Sequence, residues 1–268
     1  MAAGKINRKY WDELWSAEDV PPAVDPRDPG LRNCVNRSFH TYFCDAFAGT
    51  ETAGLKLLEI GCARSGWLPY FAKEFGFKVY GLDYSEKGCD LARSVLARAN
   101  VQGAIIYADL FCCPADLREA FDVVVSFGVA EHFENTTDCI SAFADYLKPG
   151  GIMITSIPNI VGVIGMTQKM INRPVYEIHV PLNATDLSHA HKDAGLRVIQ
   201  SDYFVSTNFG VCNLNGISLK APGWIARKII VLLLTRVSHL VWGLESAISP
   251  LPATRLFSPY INCTARKM

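Results

Sequence analysis

The sequence predicts an α/β fold in which a seven-stranded, mostly parallel sheet carries helices on both faces. Short apolar runs alternate with segments of helical periodicity from residue 55 to residue 204, a pattern typical of parallel strands joined by helices. A glycine-bounded turn, Gly61 to Gly66, follows the first run, and two later runs end at Asp83 and Asp109. Polar groups therefore collect at one edge of the sheet, where open parallel sheets bind ligands.

Residues 1–50 are expected to form an N-terminal helical cap. Two amphipathic helices are predicted, at 5–18 and 33–48, and the proline-rich residues 20–32 form a loop between them. The first helix carries aromatic side chains on one face. This helix is predicted either to pack on the domain or to form a lid in which Tyr10 and Trp11 shield a bound cation.

The core is predicted to span residues 51–206. We expect strands at 55–60, 77–82, 103–107, 121–127, 151–157 and 197–204. Helices are expected at 66–75, 86–99, 136–147 and 184–194. Ser85 provides an N-cap for the second of these helices, and Pro149 with Gly150 ends the third.

Residues 207–268 are predicted to hold an apolar helical insertion and a seventh strand at 260–266, so that the insertion lies between the last two strands. Its centre, 225–244, is apolar but contains Arg227, Lys228 and Arg236. We expect no transmembrane span, because a spanning helix has few charges. The segment would instead be buried on the domain or in a homodimer, line an acceptor pocket, or contact a membrane peripherally.

Two acidic residues narrow the choice of ligand. Glu59 lies inside the first strand, where a carboxylate is costly to bury unless it meets a cation. Asp83 lies about 20 residues beyond the turn, a position that suits the hydroxyls of a ribose. A dinucleotide and S-adenosylmethionine both need Asp83, but only the second brings an ammonium group to Glu59. The spacing also places Ala63 where a pyrophosphate site has its middle glycine.

Four segments in order, 57–66, 79–85, 121–133 and 147–154, resemble the motifs of class I S-adenosylmethionine-dependent methyltransferases of the small-molecule type. The resemblance covers residues 52–206. It implies a Rossmann-like fold, S-adenosyl-L-methionine as cofactor and methyl transfer as the reaction. The sequence departs from the family pattern at Ala63, which replaces the second glycine, and its turn is one residue longer.

The resemblance places cofactor-binding residues at the strand ends and in the cap. In this family a carboxylate at the position of Asp109 accepts from the adenine amino group, although an aspartate there also caps loops. Asp122 begins a strand at the opposite edge, so we expect it to be structural. The expected cofactor residues are Tyr10, Trp11, Glu59, Gly61, Cys62, Ala63, Gly66, Asp83, Tyr84, Asp109, Leu110, Phe127 and Gly128.

Two histidines are candidate bases for the transfer. His132 follows the fourth strand at the ligand edge, and His179 lies in the long connection 158–182. In an extended connection Glu177 would face the same side as His179. The expected substrate-binding residues are Asn159, Tyr176, Glu177 and His179.

The remaining histidines favour no metal site. His189 and His191 are expected on the surface of an outer helix, and the histidines look dispersed along the chain, so we predict no metal.

The composition limits which classes of partner and which cellular compartment we expect for the protein. Lys plus Arg equals Asp plus Glu, 26 each, so no net positive field favours nucleic acid. The nine cysteines include no CxxC pair, and Cys62, Cys89 and Cys139 fall in predicted core elements. A reducing, cytoplasmic location without a signal peptide is therefore expected.

The acceptor is weakly constrained by the sequence. We expect a small molecule methylated on a hydroxyl, of natural-product, quinone-like or saccharide type. N-methylation of a small amine and a non-catalytic binding or scaffold protein on the same fold remain alternatives. A nicotinamide oxidoreductase would need a catalytic Tyr-x-x-x-Lys, which is not found in place.

Overall fold

One seven-stranded sheet forms the centre of the computed structural model, which describes residues 4–16 and 19–268. The strands are β1 (Lys56–Ile60), β2 (Lys78–Asp83), β3 (Gly103–Tyr107), β4 (Phe121–Phe127), β5 (Leu147–Pro158), β6 (Leu196–Phe204) and β7 (Tyr260–Lys267). Their order is β3-β2-β1-β4-β5-β7-β6, and β7 runs antiparallel to both its neighbours. The predicted fold class is confirmed, including the late antiparallel strand.

Helices cover both faces of the sheet. They are α1 (Arg8–Ser16), α2 (Cys34–Ala46), α3 (Trp67–Phe75), α4 (Glu86–Arg98), α5 (Thr136–Tyr146), α6 (Val163–Ile171), α7 (Arg173–Glu177), α8 (Ala184–Asp193) and α9 (Trp224–Ala247). Alternate strand residues enter opposite cores. Leu57 packs with α2, α3 and α4, whereas Leu58 packs with α5 and α8. The strand ends are thereby held between two apolar layers.

The N-terminal segment lies against the carboxyl edge of the sheet. The Ser85 hydroxyl donates to Asp12 of α1 at 2.6 Å, which fixes this helix beside α4. Ahead of α1, the backbone N–H of Lys5 donates to the His132 carbonyl at 2.9 Å. The helix begins three residues later than predicted, and positions 17 and 18 of the predicted helix lie outside the described residues.

The connection after β5 differs from the extended segment that the sequence suggested. It contains α6 and α7, and Glu177 ends α7 with its exposed carboxylate 2.6 Å from Arg173 Nε. The expectation that Glu177 shares a face with His179 is therefore wrong, because the segment turns as a helix, in which residues two positions apart do not face the same side.

One outer histidine was also placed wrongly. His189 is exposed as predicted, but His191 on the same helix is fully buried. Its Nδ1–H donates to the Leu187 carbonyl at 2.8 Å, and its Nε2 lies 3.0 Å from the Thr155 hydroxyl. His191 is thus a hydrogen-bonded core residue, which joins α8 to β5.

The insertion between β6 and β7 is dominated by α9, which contacts the domain along a narrow strip. Ser238 and Trp242 are buried there. The Ser238 hydroxyl accepts from the Phe209 N–H, and the Trp242 indole N–H donates to the Thr207 carbonyl. Most of the helix surface is exposed, so burial on the domain is wrong for that part. By length and composition α9 could cross a membrane, and 11% of its most apolar window is buried.

Candidate active site

A cavity of about 440 Å³ opens at the carboxyl edge of the sheet. The ends of β1, β2 and β4 form its floor, and residues of the N-terminal segment and α1 form its roof. This volume lies within the range of small-molecule and cofactor sites. The strand-end residues singled out in the sequence therefore line one cavity, as expected for a parallel sheet.

Asp83 is buried at the end of β2 and is held by the backbone of two loops. Its Oδ2 accepts from the Ala63 N–H at 3.1 Å, and its Oδ1 accepts from the Ser85 N–H at 2.8 Å. Burial raises the pKa of Asp83 to about 6 in spite of these hydrogen bonds. Each oxygen keeps a lone pair, which a ligand hydroxyl can use.

Glu59 is the second buried carboxylate at this edge. It is 1% exposed, and its Oε2 has no hydrogen-bond partner among the described residues. Burial raises the pKa of Glu59 to about 8, while a hydrogen bond from the Ser65 side chain acts in the opposite direction. An unpaired buried carboxylate oxygen is costly, so this position is suited to a ligand that brings a cationic donor.

The turn after β1 is shaped by close packing. Gly61 has φ +77°, and a Cβ there would overlap the Val129 side chain. A Cβ on Gly66 would lie 2.7 Å from the Pro22 carbonyl oxygen. The close approach at Gly66 is therefore made by the proline-rich loop of the cap.

Cys62 and Ala63, two of the expected cofactor residues, turn their side chains away from the cavity. A Cβ on Gly81 would overlap Cys62 Sγ, and a Cβ on Gly88 would lie 2.7 Å from the Ala63 Cβ. Both side chains therefore pack on β2 and α4, and among the described residues neither lines the cavity. The Cβ of Ala63 is accommodated because α4 presents Gly88 at the point of contact.

The residues that follow β2 and β3 also line the cavity. Tyr84 follows β2, and Asp109 and Leu110 follow β3. The Oδ1 of Asp109 accepts from the Phe111 N–H at 3.0 Å, so this exposed aspartate does cap its loop. The predicted contact between Asp109 and an adenine amino group, which its second carboxylate oxygen could make, stays a prediction.

Much of the cavity lining is aromatic. Trp11 and Trp15 of α1 stack at 5.6 Å between ring centroids, and the Trp11 ring lies edge-on to His132 at 5.2 Å. Phe127 and Gly128 line the cavity as predicted, whereas Tyr10 is not among the described lining residues. Sequence reasoning placed Trp15 on the right helix face but did not assign it to the site.

His132 and His179 meet beside Trp11, although they are far apart in sequence. Their ring centroids lie 4.7 Å apart. His132 Nδ1–H donates to the Ile178 carbonyl at 3.0 Å, and His179 Nδ1–H donates to the Val175 carbonyl at 2.7 Å. The expectation of dispersed histidines is therefore wrong for this pair. Burial lowers the pKa of His132 to about 3.

The other predicted substrate residues lie elsewhere. Asn159 is fully buried, and its amide donates to the carbonyls of Arg255 and Ser258, both at 2.8 Å. The Tyr176 ring lies under the Lys169 ammonium at 5.2 Å. Within the described part of the chain, neither these residues nor Glu177 lines the cavity, because α6 and α7 carry the connection away from it.

Several lining residues were missed by sequence reasoning. Ile6 belongs to the N-terminal segment, and the others lie in or next to the glycine turn or in the loops after β3 and β4. The missed residues are Ile6, Arg64, Ser65, Trp67, Phe111 and Phe133.

A family model described as a methyltransferase domain matches residues 36–201, more than half of the chain. The chain belongs to this methyltransferase family. The expected class of enzyme, a methyltransferase that uses S-adenosylmethionine, is thereby confirmed.

Known relatives of this methyltransferase include ubiquinone biosynthesis O-methyltransferases. The protein from Ruegeria pomeroyi is 29% identical over 72% of this chain and 81% of its own length. The protein from Nitrobacter winogradskyi is 28% identical over 58% of this chain, which spans only 57% of that relative.

Solved structures share the fold of the methyltransferase. The geranyl diphosphate C-methyltransferase of Streptomyces coelicolor A3(2) has a TM-score of 0.60 at 16% identity, covering 97% of this chain and 98% of that one. A putative sarcosine dimethylglycine methyltransferase from Galdieria sulphuraria has a TM-score of 0.59 at 14% identity, with 97% of both chains covered.

The residues at the strand ends fit S-adenosylmethionine. The unpaired Oε2 of Glu59 matches the ammonium of the methionine part, and the free lone pairs of Asp83 match ribose hydroxyls. The aromatic rings of Trp11 and Trp15 border the same cavity, where they can face the sulfonium.

Replacing Asp83 with Ala is expected to weaken S-adenosylmethionine binding by about 100-fold, because two charge-assisted hydrogen bonds are lost. Isothermal titration calorimetry measures the change. The matched control is Asp122→Ala, which removes an aspartate paired with Lys148 at the far edge of the sheet. Equal binding by the Asp83 variant and the control would refute the assignment.

Cofactor binding is expected to release protons at pH 7. Free Glu59, with a pKa of about 8, is mostly protonated at this pH, and an ammonium partner lowers that pKa. Release approaching one proton per cofactor should be seen by calorimetry in two buffers of different ionisation enthalpy. Glu59→Gln should abolish it, and unchanged release in this variant would contradict the pairing.

Proposed function

We propose that this methyltransferase transfers the methyl group of S-adenosylmethionine to a hydroxyl oxygen of a small aromatic, quinone-like molecule. The observation that supports this most directly is the lining of the cavity, in which the carboxylates at the strand ends are accompanied by aromatic side chains and by the imidazole of His132. The names of the relatives favour the same acceptor class.

The aromatic lining suits a flat apolar acceptor. Trp11, Phe111 and Phe133 offer ring faces and edges, and Phe111 and Phe133 meet edge-on at 5.3 Å. Such walls bind an aromatic ring by apolar burial and exclude water from the transfer. They provide few charged groups for a saccharide or an amine.

His132 supplies a polar atom beside these aromatic side chains. Because its Nδ1–H donates to a carbonyl, the lone pair of neutral His132 is on Nε2. This atom can accept a hydrogen bond from the acceptor hydroxyl and so orient its oxygen towards the methyl carbon. With a pKa of about 3, the ring stays neutral from pH 5 upwards.

The reaction then needs mainly alignment. The acceptor oxygen attacks the methyl carbon, the bond from that carbon to sulfur breaks, and the cofactor leaves as a neutral thioether. Glu59 and Asp83 would fix the donor, and the roof formed by α1 would keep water out.

His132→Ala is expected to lower kcat by about 100-fold while the affinity for S-adenosylmethionine changes by less than about twofold. Formation of S-adenosylhomocysteine from a dihydroxylated aromatic acceptor with a short apolar tail measures the rate. His189→Ala, which changes an exposed histidine of α8, is the control. An unchanged rate in His132→Ala would remove the residue from the site.

The acceptor class is tested by a panel. Catechol-like acceptors should be methylated on oxygen, and matched aromatic amines and free saccharides should give at least about tenfold lower kcat/KM. Preferential methylation of the amines would favour the alternative N-methyltransferase, and cofactor binding without turnover on any acceptor would favour a non-catalytic protein.

A further inference from the structure

Beside the cavity, three side chains with metal-binding atoms converge: Glu131, His132 and His179. One ligand atom from each lies within 4.8 Å of the others. The three residues come from two distant segments, the single helical turn at 130–132 after β4 and the residues directly after α7. The Val180 N–H donates to the Glu131 carbonyl at 2.7 Å and holds these segments together.

Both imidazoles are oriented as metal ligands usually are. Their Nδ1–H groups donate to the backbone carbonyls of Ile178 and Val175. Each Nε2 therefore carries a lone pair, and its ring is held by an outer hydrogen bond, an arrangement typical of histidines that bind metals.

One oxygen of the Glu131 carboxylate lacks a partner among the described residues. Glu131 is 1% exposed, and its Oε2 makes no hydrogen bond within the described residues. Its Oε1 lies 3.9 Å from His132 Nε2. A buried carboxylate with an unsatisfied oxygen calls for a cation or a donor, since its burial is otherwise costly. Nothing in the reaction proposed above uses this group.

We propose that Glu131, His132 and His179 bind one divalent transition-metal ion, with Zn²⁺ the best match to the donor set. Two imidazoles and one carboxylate form a known type of zinc site with an open fourth position. Bonds of about 2.0–2.1 Å require ligand atoms about 3.3 Å apart, so small side-chain rotations complete the site. Lys5 Nζ, an exposed cation, donates to the His179 carbonyl at 3.0 Å.

The open position would face the acceptor. His132 lines the cavity, and Gly128, which lines it too, lies against the carboxylate of Glu131. This consequence rests on the proposed function. An acceptor hydroxyl bound there would lose its proton to water, and its oxygen would attack the methyl carbon as the carbon–sulfur bond breaks. His132 would then serve as a ligand and not as the proton acceptor.

The metal site is tested without cofactor or acceptor. Protein stripped with a chelator is titrated with Zn²⁺ against a chromophoric competitor, and with Co²⁺ while its visible absorption is followed. One ion per chain is expected. His179→Ala and the isosteric Glu131→Gln should each weaken Zn²⁺ binding by at least about 100-fold and remove the Co²⁺ bands.

His189→Ala, which removes an exposed histidine, should leave the stoichiometry and the affinity unchanged. Thermal unfolding verifies that each variant is folded. Wild-type protein that binds no Zn²⁺, or variants that bind it as tightly as the wild type, would overturn the inference. The proposed O-methylation would survive that result, because turnover is measured separately.

A second, independent feature is an apolar ridge on α9, which we define as Ile225, Ile229, Leu233, Leu240 and Leu244. These side chains are 50–70% exposed. Spacings of four and seven residues place them along one side of the helix. On the other side, Val231 and Leu234 pack with α6 residues in a small core.

Positive charge accompanies the ridge. Residues 207–258 contain five basic residues and one acidic residue, Glu245, in a chain whose formal net charge is zero. Lys220, Arg227, Lys228, Arg236 and Arg255 are the basic ones. This segment therefore carries a formal charge of +4, which complements an anionic surface.

We infer that the ridge lies in the interface of an anionic lipid bilayer. Exposed apolar side chains next to Lys and Arg are typical of helices that rest on membranes. Arg236 follows the ridge residue Leu233, and Ser238 and Trp242 are hydrogen-bonded to the domain. These features favour a helix lying parallel to the surface over one that spans the bilayer.

Vesicle flotation tests this surface. The protein should float with phosphatidylglycerol-containing vesicles and bind at least about tenfold more weakly to pure phosphatidylcholine or at 0.5 M salt. Ile229→Glu with Leu233→Glu should abolish flotation. Ile199→Glu, an exposed isoleucine of β6, is the control.

Sedimentation velocity separates the main rival, a homodimer. A concentration-dependent dimer that the Ile229/Leu233 double variant disrupts, without any flotation of the wild type, would overturn the membrane inference and assign the ridge to a second copy of the chain.

Discussion

Two carboxylates buried at neighbouring strand ends constrain the whole site. Asp83 offsets the cost of burial by accepting from the backbone of the turn after β1 and of the start of α4. Glu59 lies one strand away and keeps one oxygen without a partner in the described chain. Asp83 therefore fixes the loops, whereas Glu59 remains available for a cationic ligand.

The fold and the cofactor end of the site could be predicted because local patterns determine them. Parallel strands that are buried on both faces read as apolar runs, and their carboxyl ends must share an edge. That rule alone brings Glu59, Gly61, Asp83 and Asp109 to one cavity. It does not fix side-chain direction within the turn, so Cys62 and Ala63 were assigned to the ligand although they pack on β2 and α4.

The acceptor end depended on contacts that no local pattern encodes. His132 and His179 are 47 positions apart in sequence and meet because the chain after α7 pairs with the loop after β4. The helices between β5 and His179, α6 and α7, carry Tyr176 and Glu177 away from the cavity. Burial of His191 was missed for a similar reason, since its partner Thr155 lies on another element. The exposure of α9 likewise contradicts its apolar composition, which is typical of a core helix.

The central claim is that Glu59 and Asp83 are positioned for the two ends of a sulfonium nucleoside. A crystal structure with S-adenosylhomocysteine tests it most directly. The account predicts the amino group of the ligand within about 3 Å of Glu59 Oε2 and a ribose hydroxyl at the same distance from Asp83. A ligand bound elsewhere, or one whose amino group leaves Glu59 unpaired, would contradict the account.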